Sequence, residues 1–313
     1  MIEQKFVDRF ARNSGIKDKF IAEREVILTY ALEAIKKKDL MKHLAFKGGT
    51  ALRKLVFGSS GRFSMDLDFT LYAVDQDRDD ILEQIISVFN GEHHHITFKT
   101  DDFYFTEEET SFGGDVRYSH AWNNAGVFKL QISLREEPTL PIVEGPLQPQ
   151  EYFKEMEFKP FSVCSLAVIE MISEKLRAAF QRSKVRDLYD LYRFATTPFD
   201  AELLRSLVVL KLWQTRNSFE PVIFFEKIRG ADYEWEDLTR LVRQSETFVP
   251  EEIIKMVESR FSFLKTLTDL EHKVVMDSRG WKSPTFSRRL REQIIKRQVK
   301  FTPHTSMVTQ NGV

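Results

Sequence analysis

The chain has 313 residues, of which 42% are apolar, and its 46 lysines and arginines nearly balance 47 aspartates and glutamates, giving a net charge of −1. This composition excludes wholesale disorder, the single cysteine excludes a disulfide scaffold or a cysteine-rich zinc module, and no apolar run approaches the ~18 residues of a membrane helix. Because the first twenty residues are charged throughout and lack an apolar signal core, we expect a cytoplasmic protein with no membrane partner.

The first half of the chain shows mixed helix and strand patterns. In chain order these predict helices over 3–42, a strand at 44–46, a glycine turn, a helix over 51–57, a strand over 62–71 and a helix over 77–90. Strand patterns then recur between residues 96 and 143.

The pattern changes after a connection rich in proline and glycine, between Pro138 and Pro149. Residues 163–300 are dominated by helical periodicity, with almost no strand signal. We therefore predict an α/β (α+β) fold class with a mixed sheet. The predicted domains are residues 1–155, which carry the sheet, and residues 156–313, which are helical.

A pair of glycines stands where the first predicted strand meets a helix, in the sequence Gly48-Gly49-Thr50. Paired glycines allow the backbone to approach a ligand closely, and the amides at a helix amino terminus attract phosphate. Such turns also exist only to reverse the chain, so this motif alone does not identify a site.

A second motif follows in the predicted strand, as Arg62-x-Ser64-x-Asp66-x-Asp68. Residues two apart on a strand project to the same face, so these four side chains point together and the apolar residues between them face a core. Two adjacent carboxylates repel each other unless a cation lies between them. Mg²⁺ bridging a triphosphate meets this need. The alternative is an exposed strand with a polar face.

The two motifs, in this order and separated by a short loop, resemble those of the AbiEii-type nucleotidyltransferase toxins, which include the MenT toxins. The residues that carry the resemblance are Gly48-Gly49-Thr50-Ala51-Leu52 and Arg62-x-Ser64-x-Asp66-Leu67-Asp68-Phe69. The resemblance implies a DNA polymerase β-like nucleotidyltransferase core.

The same resemblance implies roles for individual residues. Asp66 and Asp68 would bind Mg²⁺, with Mn²⁺ as an alternative, and would be catalytic. The phosphates of a nucleoside triphosphate would be bound by the residues of the glycine turn and the strand: Gly48, Gly49, Thr50, Arg62 and Ser64.

Two further segments of the helical half are similar to motifs of this family, Glu174-Lys175-Leu176-Arg177-Ala178 and residues 184–192. Helical spacing puts Lys175 beside an apolar stripe, within reach of a phosphate, and puts Asp187 and Asp190 on one face. By resemblance, Lys175 and Asp187 are catalytic and Lys175 and Asp190 bind the nucleotide. The alternative is a salt-bridged helix pair that adds little.

The sequence departs from the polymerase β-like pattern at one position. Such enzymes often have a third carboxylate on a later strand, and here the expected position is Gln131, an amide that cannot act as a base. Asp115, Glu136 or Asp187 are the candidates to replace it. Two metal-binding acids can suffice, because phosphoryl transfer depends mostly on positioning and charge neutralisation.

Positive charge is concentrated between residues 279 and 300, which contain eight basic residues and one acid. Such a segment can contact RNA phosphates or can be a solvated helix. The RNA-binding candidates are Arg279, Lys282, Arg288, Arg289 and Arg291. A run of three histidines, residues 93–95, is typical of a surface turn, with metal binding as the alternative.

The predicted function is transfer of a nucleoside monophosphate from an NTP to an acceptor. The resemblance implies the 3′ end of tRNA as acceptor, a block of translation, and an AbiEi-like winged-helix antitoxin as partner. One alternative is an NTP-binding module that is weakly catalytic or non-catalytic and acts through protein contacts, which Gln131 keeps open. Another alternative is a nucleotidyltransferase that modifies protein. The basic segment favours an RNA acceptor over a protein acceptor.

Overall fold

One mixed β-sheet organises the part of the chain that the computed structural model describes, residues 2–72, 77–279 and 283–300. Its strands are β1 (Leu44–Lys47), β2 (Asp66–Leu71), β3 (Gly91–His93), β4 (Ile96–Phe105), β5 (Ser111–His120), β6 (Asn123–Ser133), β7 (Val143–Pro146) and β8 (Ser162–Ser165). The sheet order is β3-β4-β5-β6-β2-β1-β8-β7. The pairs β2–β6 and β1–β8 are parallel and the others are antiparallel.

Along the chain, helices precede the first strand, lie between strands and follow the last strand. They are α1 (Gln4–Ser14), α2 (Lys19–Lys37), α3 (Gly48–Ala51), α4 (Arg78–Val88), α5 (Val168–Gln181), α6 (Val185–Phe194), α7 (Ala201–Gln214), α8 (Pro221–Gly230), α9 (Trp235–Thr239), α10 (Pro250–Arg260), α11 (Asp269–Ser278) and α12 (Thr285–Lys300). Within the described ranges, none of these helices has the length and apolar character needed to cross a membrane.

The central strand β2 has the alternation that the sequence predicts. Leu67 and Phe69 are fully buried, and the Phe69 ring lies 5.3 Å from that of Phe46 on β1. Because successive side chains on a strand point to opposite faces, Asp66 and Asp68 lie together on the other face. The apolar residues thus fix the direction in which both carboxylates point.

The predicted strand over 62–71 is four residues too long at its start. The backbone N–H of Phe63 donates to the carbonyl of Leu241, 2.7 Å away, rather than to a neighbouring strand. Arg62 and Ser64 therefore lie in the segment that leads into β2, and the prediction that they share its face by strand geometry is wrong.

Three short strands occur where the sequence predicts none. β3 includes the first of the three histidines, β7 lies in the predicted connection, and β8 lies at the start of the predicted helical half. β8 pairs with β1 through Ser165 and Phe46, so the sheet continues past residue 155 to Ser165. The division into domains 1–155 and 156–313 stays a prediction.

A buried ion cluster holds the helix that follows the glycine pair. α3 continues directly into a π-helical stretch, residues 52–57, where Lys54 Nζ lies 2.9 Å and Arg53 Nε 3.1 Å from the carboxylate of Glu25 on α2. Lys54 also donates to Thr29 and Tyr152 at 2.8 and 3.2 Å. Burial raises the pKa of Glu25, but the two cations outweigh it and hold that pKa below its usual value.

We expect Glu25→Ala to lower the free energy of unfolding by about 3–5 kcal/mol, because it leaves two buried cations without their carboxylate. Since the folded-state pKa of Glu25 is lowered, its contribution is present above the unfolded pKa and is lost as the pH falls towards the folded value. Urea unfolding at pH 7 and pH 4 measures both effects. Glu151→Ala, at an exposed position, is the control and should cost under about 1 kcal/mol. Equal stability of the two variants would contradict the prediction.

Candidate functional site

The two carboxylates of β2 lie between strands that contribute polar neighbours. Asp68 is paired in register with Lys47 on β1 and with Gln131 on β6, whereas Asp66 is paired with Lys129. Directly opposed residues of neighbouring strands project to the same face, so these side chains share one surface of the sheet. Gln131 thus stands beside Asp68.

The glycine pair makes room for the side chains of the site. Gly48 has φ +80°, and a Cβ at this position would lie 2.2 Å from Asp68 Oδ2. A Cβ on Gly49 would lie 2.3 Å from an Nη atom of Arg62 and 3.2 Å from Ser64 Oγ. Only glycine therefore permits both the backbone conformation at residue 48 and the close approach of Asp68.

The hydroxyl of Thr50 is directed at the protein itself. It is fully buried and donates to the backbone carbonyl of Asp66. This bond ties the first turn of α3 to the start of β2. The structure places Thr50 next to the predicted metal ligand, but its hydroxyl already has a partner.

A buried network of charges joins Arg62 to helices α5 and α6. Arg62 donates to both carboxylate oxygens of Asp190, at 2.9 and 2.8 Å. Lys175 Nζ lies 2.9 Å from both Asp187 Oδ1 and Asp190 Oδ2, and Arg182 Nε donates to Asp187 Oδ2 at 2.9 Å. Four of the predicted site residues are thereby brought together, although Arg62 lies more than a hundred positions from the other three.

The network changes the proton affinities of its members. Burial raises the pKa of Asp187, but Lys175 and Arg182 outweigh burial and hold it well below its usual range. The opposite holds on β2, where burial and then the charge of Asp66 raise the pKa of Asp68 to about 6. Burial also raises the pKa of Glu174, yet Lys47 and Lys211 lower it to about 2.

A cavity of about 270 Å³ opens beside Asp68. Five cationic and three anionic side chains line it, together with serine, threonine and glutamine: Lys47, Arg135, Lys175, Arg177, Arg182, Asp68, Glu174, Asp187, Thr110, Ser111, Ser133 and Gln131. An excess of positive charge in a cleft attracts anionic ligands such as phosphates.

Sequence reasoning did not select several residues of this cavity, namely Lys47, Arg135, Glu174, Arg177 and Arg182. A signal was present for three of them. Lys47 directly precedes the glycine pair, and Glu174 and Arg177 flank Lys175 in the motif that carries the resemblance. No pattern marked Arg135 or Arg182, because each reaches the cavity only through the tertiary fold.

The candidates for a third acid lie in different surroundings. Asp115 on β5 is opposite Lys129, which is in turn opposite Asp66, so one cation separates the two carboxylates across the sheet. Glu136 lies 3.5 Å from Lys211, and burial raises its pKa. Asp187 is held between Lys175 and Arg182.

The basic segment is only partly available to a ligand. Arg288 and Arg289 are exposed on α12, and Arg279 is exposed 3.6 Å from Glu220. Arg291 instead donates to the carbonyl of Pro138 at 3.0 Å, which holds α12 against the body of the protein. Lys282 lies outside the described residues.

Asp66 and Asp68 are the residues that fit a metal ion here. They present carboxylate oxygens, which hard divalent cations prefer, on one face of one strand and next to the cationic cavity. After burial, the charge of Asp66 is the next largest cause of the raised pKa of Asp68, and a cation bound between the two carboxylates relieves this repulsion.

We expect Asp68, in protein stripped of divalent metal, to titrate near pH 6, because burial and the charge of Asp66 both oppose its ionisation. Asp66→Asn removes the second cause and should lower the midpoint. Since the folded-state pKa is raised, this group makes the free energy of unfolding fall as the pH rises from about 4 to about 6. Carboxyl NMR shifts measure the midpoint, and an Asp68 midpoint near 4 in the wild-type chain would contradict the prediction.

Comparison with known proteins places this geometry in a family. The family model described as "Nucleotidyl transferase AbiEii toxin, Type IV TA system" matches residues 30–265, about three quarters of the chain. Among curated proteins, no sequence matches. Among solved structures, the nucleotidyltransferase toxin MenT4 from Mycobacterium tuberculosis H37Rv is 23% identical, with a TM-score of 0.78 over 94% of this chain and 100% of its own.

The structure of CdnC from E. coli MS115-1 with ATP also matches, over 94% of this chain and 97% of that one, but at a TM-score of 0.27 and 11% identity this likeness does not establish a shared fold. The likeness to MenT4 shows the fold, and the predicted α/β class with a mixed sheet is confirmed. Because the family model covers well over half of the sequence, the chain belongs to the AbiEii nucleotidyltransferase toxins of type IV toxin–antitoxin systems.

Proposed function

We propose that this protein transfers a nucleoside monophosphate from an NTP to the 3′ end of tRNA, in a reaction that needs a divalent metal ion, and thereby blocks translation. The observation that carries the proposal is the pair Asp66 and Asp68 beside a cavity with more cationic than anionic side chains. This combination suits a metal-bound triphosphate, which brings both a cation for the carboxylates and negative charge for the cavity.

Asp66 and Asp68 would hold Mg²⁺, or Mn²⁺ in its place, and the bound ion would neutralise charge on the phosphates. Gly48 lets Asp68 lie close to the backbone of α3, and Gly49 leaves room for Arg62 and Ser64. Ser64 is 7% exposed and lies next to Gly49, and the hydroxyl of Thr50 donates to the backbone carbonyl of Asp66. Both residues support this part of the site from within the protein.

The cationic side chains of the site differ in their ion pairs, and we assign them different roles for that reason. The resemblance implies that Arg62 contacts phosphate, but its Nε and one Nη donate to Asp190 and its other Nη donates to the carbonyl of Phe63. We therefore assign Arg62 and Asp190 a positioning role. Lys175 shares its charge between Asp187 and Asp190 while lining the cavity. We assign phosphate binding chiefly to the arginines that line the cavity, Arg135, Arg177 and Arg182.

The proposed step is an attack of the terminal hydroxyl of the acceptor on the α-phosphorus. The new phosphorus–oxygen bond forms as the bond to the pyrophosphate oxygen breaks, and pyrophosphate leaves. Gln131 stands beside Asp68, and an amide cannot accept a proton. Because Asp187, the candidate third acid that lines the cavity, is held by Lys175 and Arg182, we propose that water accepts the proton of the hydroxyl. The residues of the chain bind, orient and neutralise charge.

Exposed arginines on α12 support an RNA acceptor, because phosphate contacts dominate binding to nucleic acids. Arg288 and Arg289 are available for this, together with Arg279. Membership of a type IV toxin–antitoxin family supports an antitoxin partner. We propose an AbiEi-like winged-helix protein in this role and the cytoplasm as the place of action.

We expect label from one preferred α-³²P-labelled NTP to appear on tRNA when the protein is incubated with Mg²⁺ and total tRNA. Asp68→Asn should lower the rate at least about 1000-fold, because it removes a ligand that supplies several kcal/mol of transition-state stabilisation through the metal. Asp101→Asn is the matched control, since this aspartate lies on β4 and contacts Arg117. Its rate should be unchanged.

The other outcomes decide between the alternatives. Label on protein, with none on RNA, would replace tRNA by a protein acceptor. Intact NTP binding with no label on any acceptor would favour a non-catalytic binding module, for which the amide at Gln131 is the structural reason. Label on tRNA that survives in Asp68→Asn would overturn the assignment of the site.

We expect Gly48→Ala to abolish most transfer activity, because its Cβ would overlap Asp68 Oδ2 and the residue has φ +80°. The strain itself should cost about 1–2 kcal/mol of stability. Gly145→Ala, at a position where a Cβ meets nothing within 4 Å, should keep both activity and melting temperature. Transfer rates and melting curves of both variants test this, and a fully active Gly48→Ala would contradict it.

A further inference from the structure

We propose that Glu33, His93 and His94 form a second metal site, for a borderline divalent ion of the Zn²⁺ class. Glu33 lies on α2, His93 ends β3, and His94 lies in the turn between β3 and β4. The run of three histidines is the sequence feature that the proposed transfer reaction leaves unused.

The donor atoms are already close together. His93 Nε2 contacts Glu33 Oε2, and His94 Nε2 lies 3.5 Å from the same oxygen. All three donor atoms lie within 4.8 Å of one another. A tetrahedral ion with bonds of about 2.0–2.1 Å holds its ligands about 3.4 Å apart. The ion would therefore replace the proton between His93 and Glu33 with only small side-chain movements.

His94 is held in the orientation that a ligand needs. Its Nδ1 lies 3.2 Å from Glu157 Oε2, which directs Nε2 towards Glu33. Carboxylate partners of this kind orient metal-bound histidines and increase their basicity. The rings of Tyr30 and Phe158 lie 5.6 and 5.3 Å from the imidazole. His94 Nε2 itself is buried and makes no hydrogen bond.

The backbone of the turn is strained in a way that serves this arrangement. His94 and His95 have φ of 50° and 59° and form a two-residue connection between the paired residues His93 and Ile96. Such turns normally contain Asn-Gly, because left-handed backbone is costly for other residues. In this turn the side chain of His94 is 18% exposed, whereas that of His95 is 60% exposed and lies 3.6 Å from Glu92.

Two imidazoles and one carboxylate favour Zn²⁺ over Mg²⁺ or Ca²⁺, which prefer oxygen ligands alone. The side chains of Glu33, His93 and His94 are 15–18% exposed, so an ion can enter and a water can take the fourth position. β3 is separated from β2 by β4, β5 and β6, which puts these two strands about 19 Å apart across the sheet. The ion would tie the β3–β4 turn to α2.

The test uses the untagged full-length chain carrying Asp68→Asn, stripped with EDTA and titrated with Zn²⁺ in excess Mg²⁺. This background removes the acidic pair as a competing site. We expect one Zn²⁺ per chain, with affinity lowered more than about 100-fold by His93→Ala or Glu33→Gln, since loss of an outer partner alone costs about 10- to 100-fold. His95→Ala, the adjacent histidine outside the site, should bind as the parent does.

Melting curves separate binding from folding. At about 100-fold excess over the dissociation constant, Zn²⁺ should raise the melting temperature of the parent and of His95→Ala by about 5 °C, and leave that of His93→Ala unchanged. If His93→Ala fails to fold in EDTA, Glu157→Gln replaces it and should weaken binding about 10- to 100-fold. Absence of Zn²⁺ binding by the parent would overturn the site, as would equal losses in His93→Ala and His95→Ala.

Discussion

The arrangement of this molecule depends on a buried set of ion pairs that joins the start of β2 to the helical half. Arg62 is 5% exposed and is held by both oxygens of Asp190, while Lys175 connects Asp190 to Asp187. Removing one partner of such a network leaves an uncompensated buried charge, at a cost of about 3–5 kcal/mol. The network therefore fixes α5 and α6 relative to the strand that carries the paired carboxylates.

This constraint also decides which charges are available to a ligand. Arg62 and Lys175 are matched by Asp190 and Asp187, so they contribute less net charge to the cavity than their type suggests. Arg182 is different, because its side chain is 61% exposed although it contacts Asp187. The cavity can thus carry net positive charge at its rim, where an anion enters. At its base the positive and negative charges are balanced, so the protein is stable there without a bound anion.

The sequence predicts those parts of the structure that are governed by local pattern. The alternation in β2 predicts that Asp66 and Asp68 share a face. The glycine pair predicts a close approach of the backbone to a ligand, and the neighbour that the structure places against Gly48 is Asp68. The sequence pattern does not predict β3, β7 and β8. Strands of three or four residues show too little periodicity, and these strands form through their pairing in the sheet. The contact between Arg62 and Asp190 spans 128 positions and no periodicity reports it.

The amide at position 131 is consistent with the charge balance around Asp68. Burial and Asp66 already raise the pKa of Asp68 to about 6, and a third carboxylate at Gln131, directly opposite on β6, would raise it further. Lys47, opposite on β1, offsets part of this rise, while Glu174, 3.3 Å from Lys47, adds to it. With an amide there, Asp68 can ionise near neutral pH, and the pair of carboxylates on β2 can share one divalent cation. Under the proposed function, such a site transfers the nucleotide by positioning and charge neutralisation, the contributions that dominate phosphoryl transfer, rather than by a built-in base.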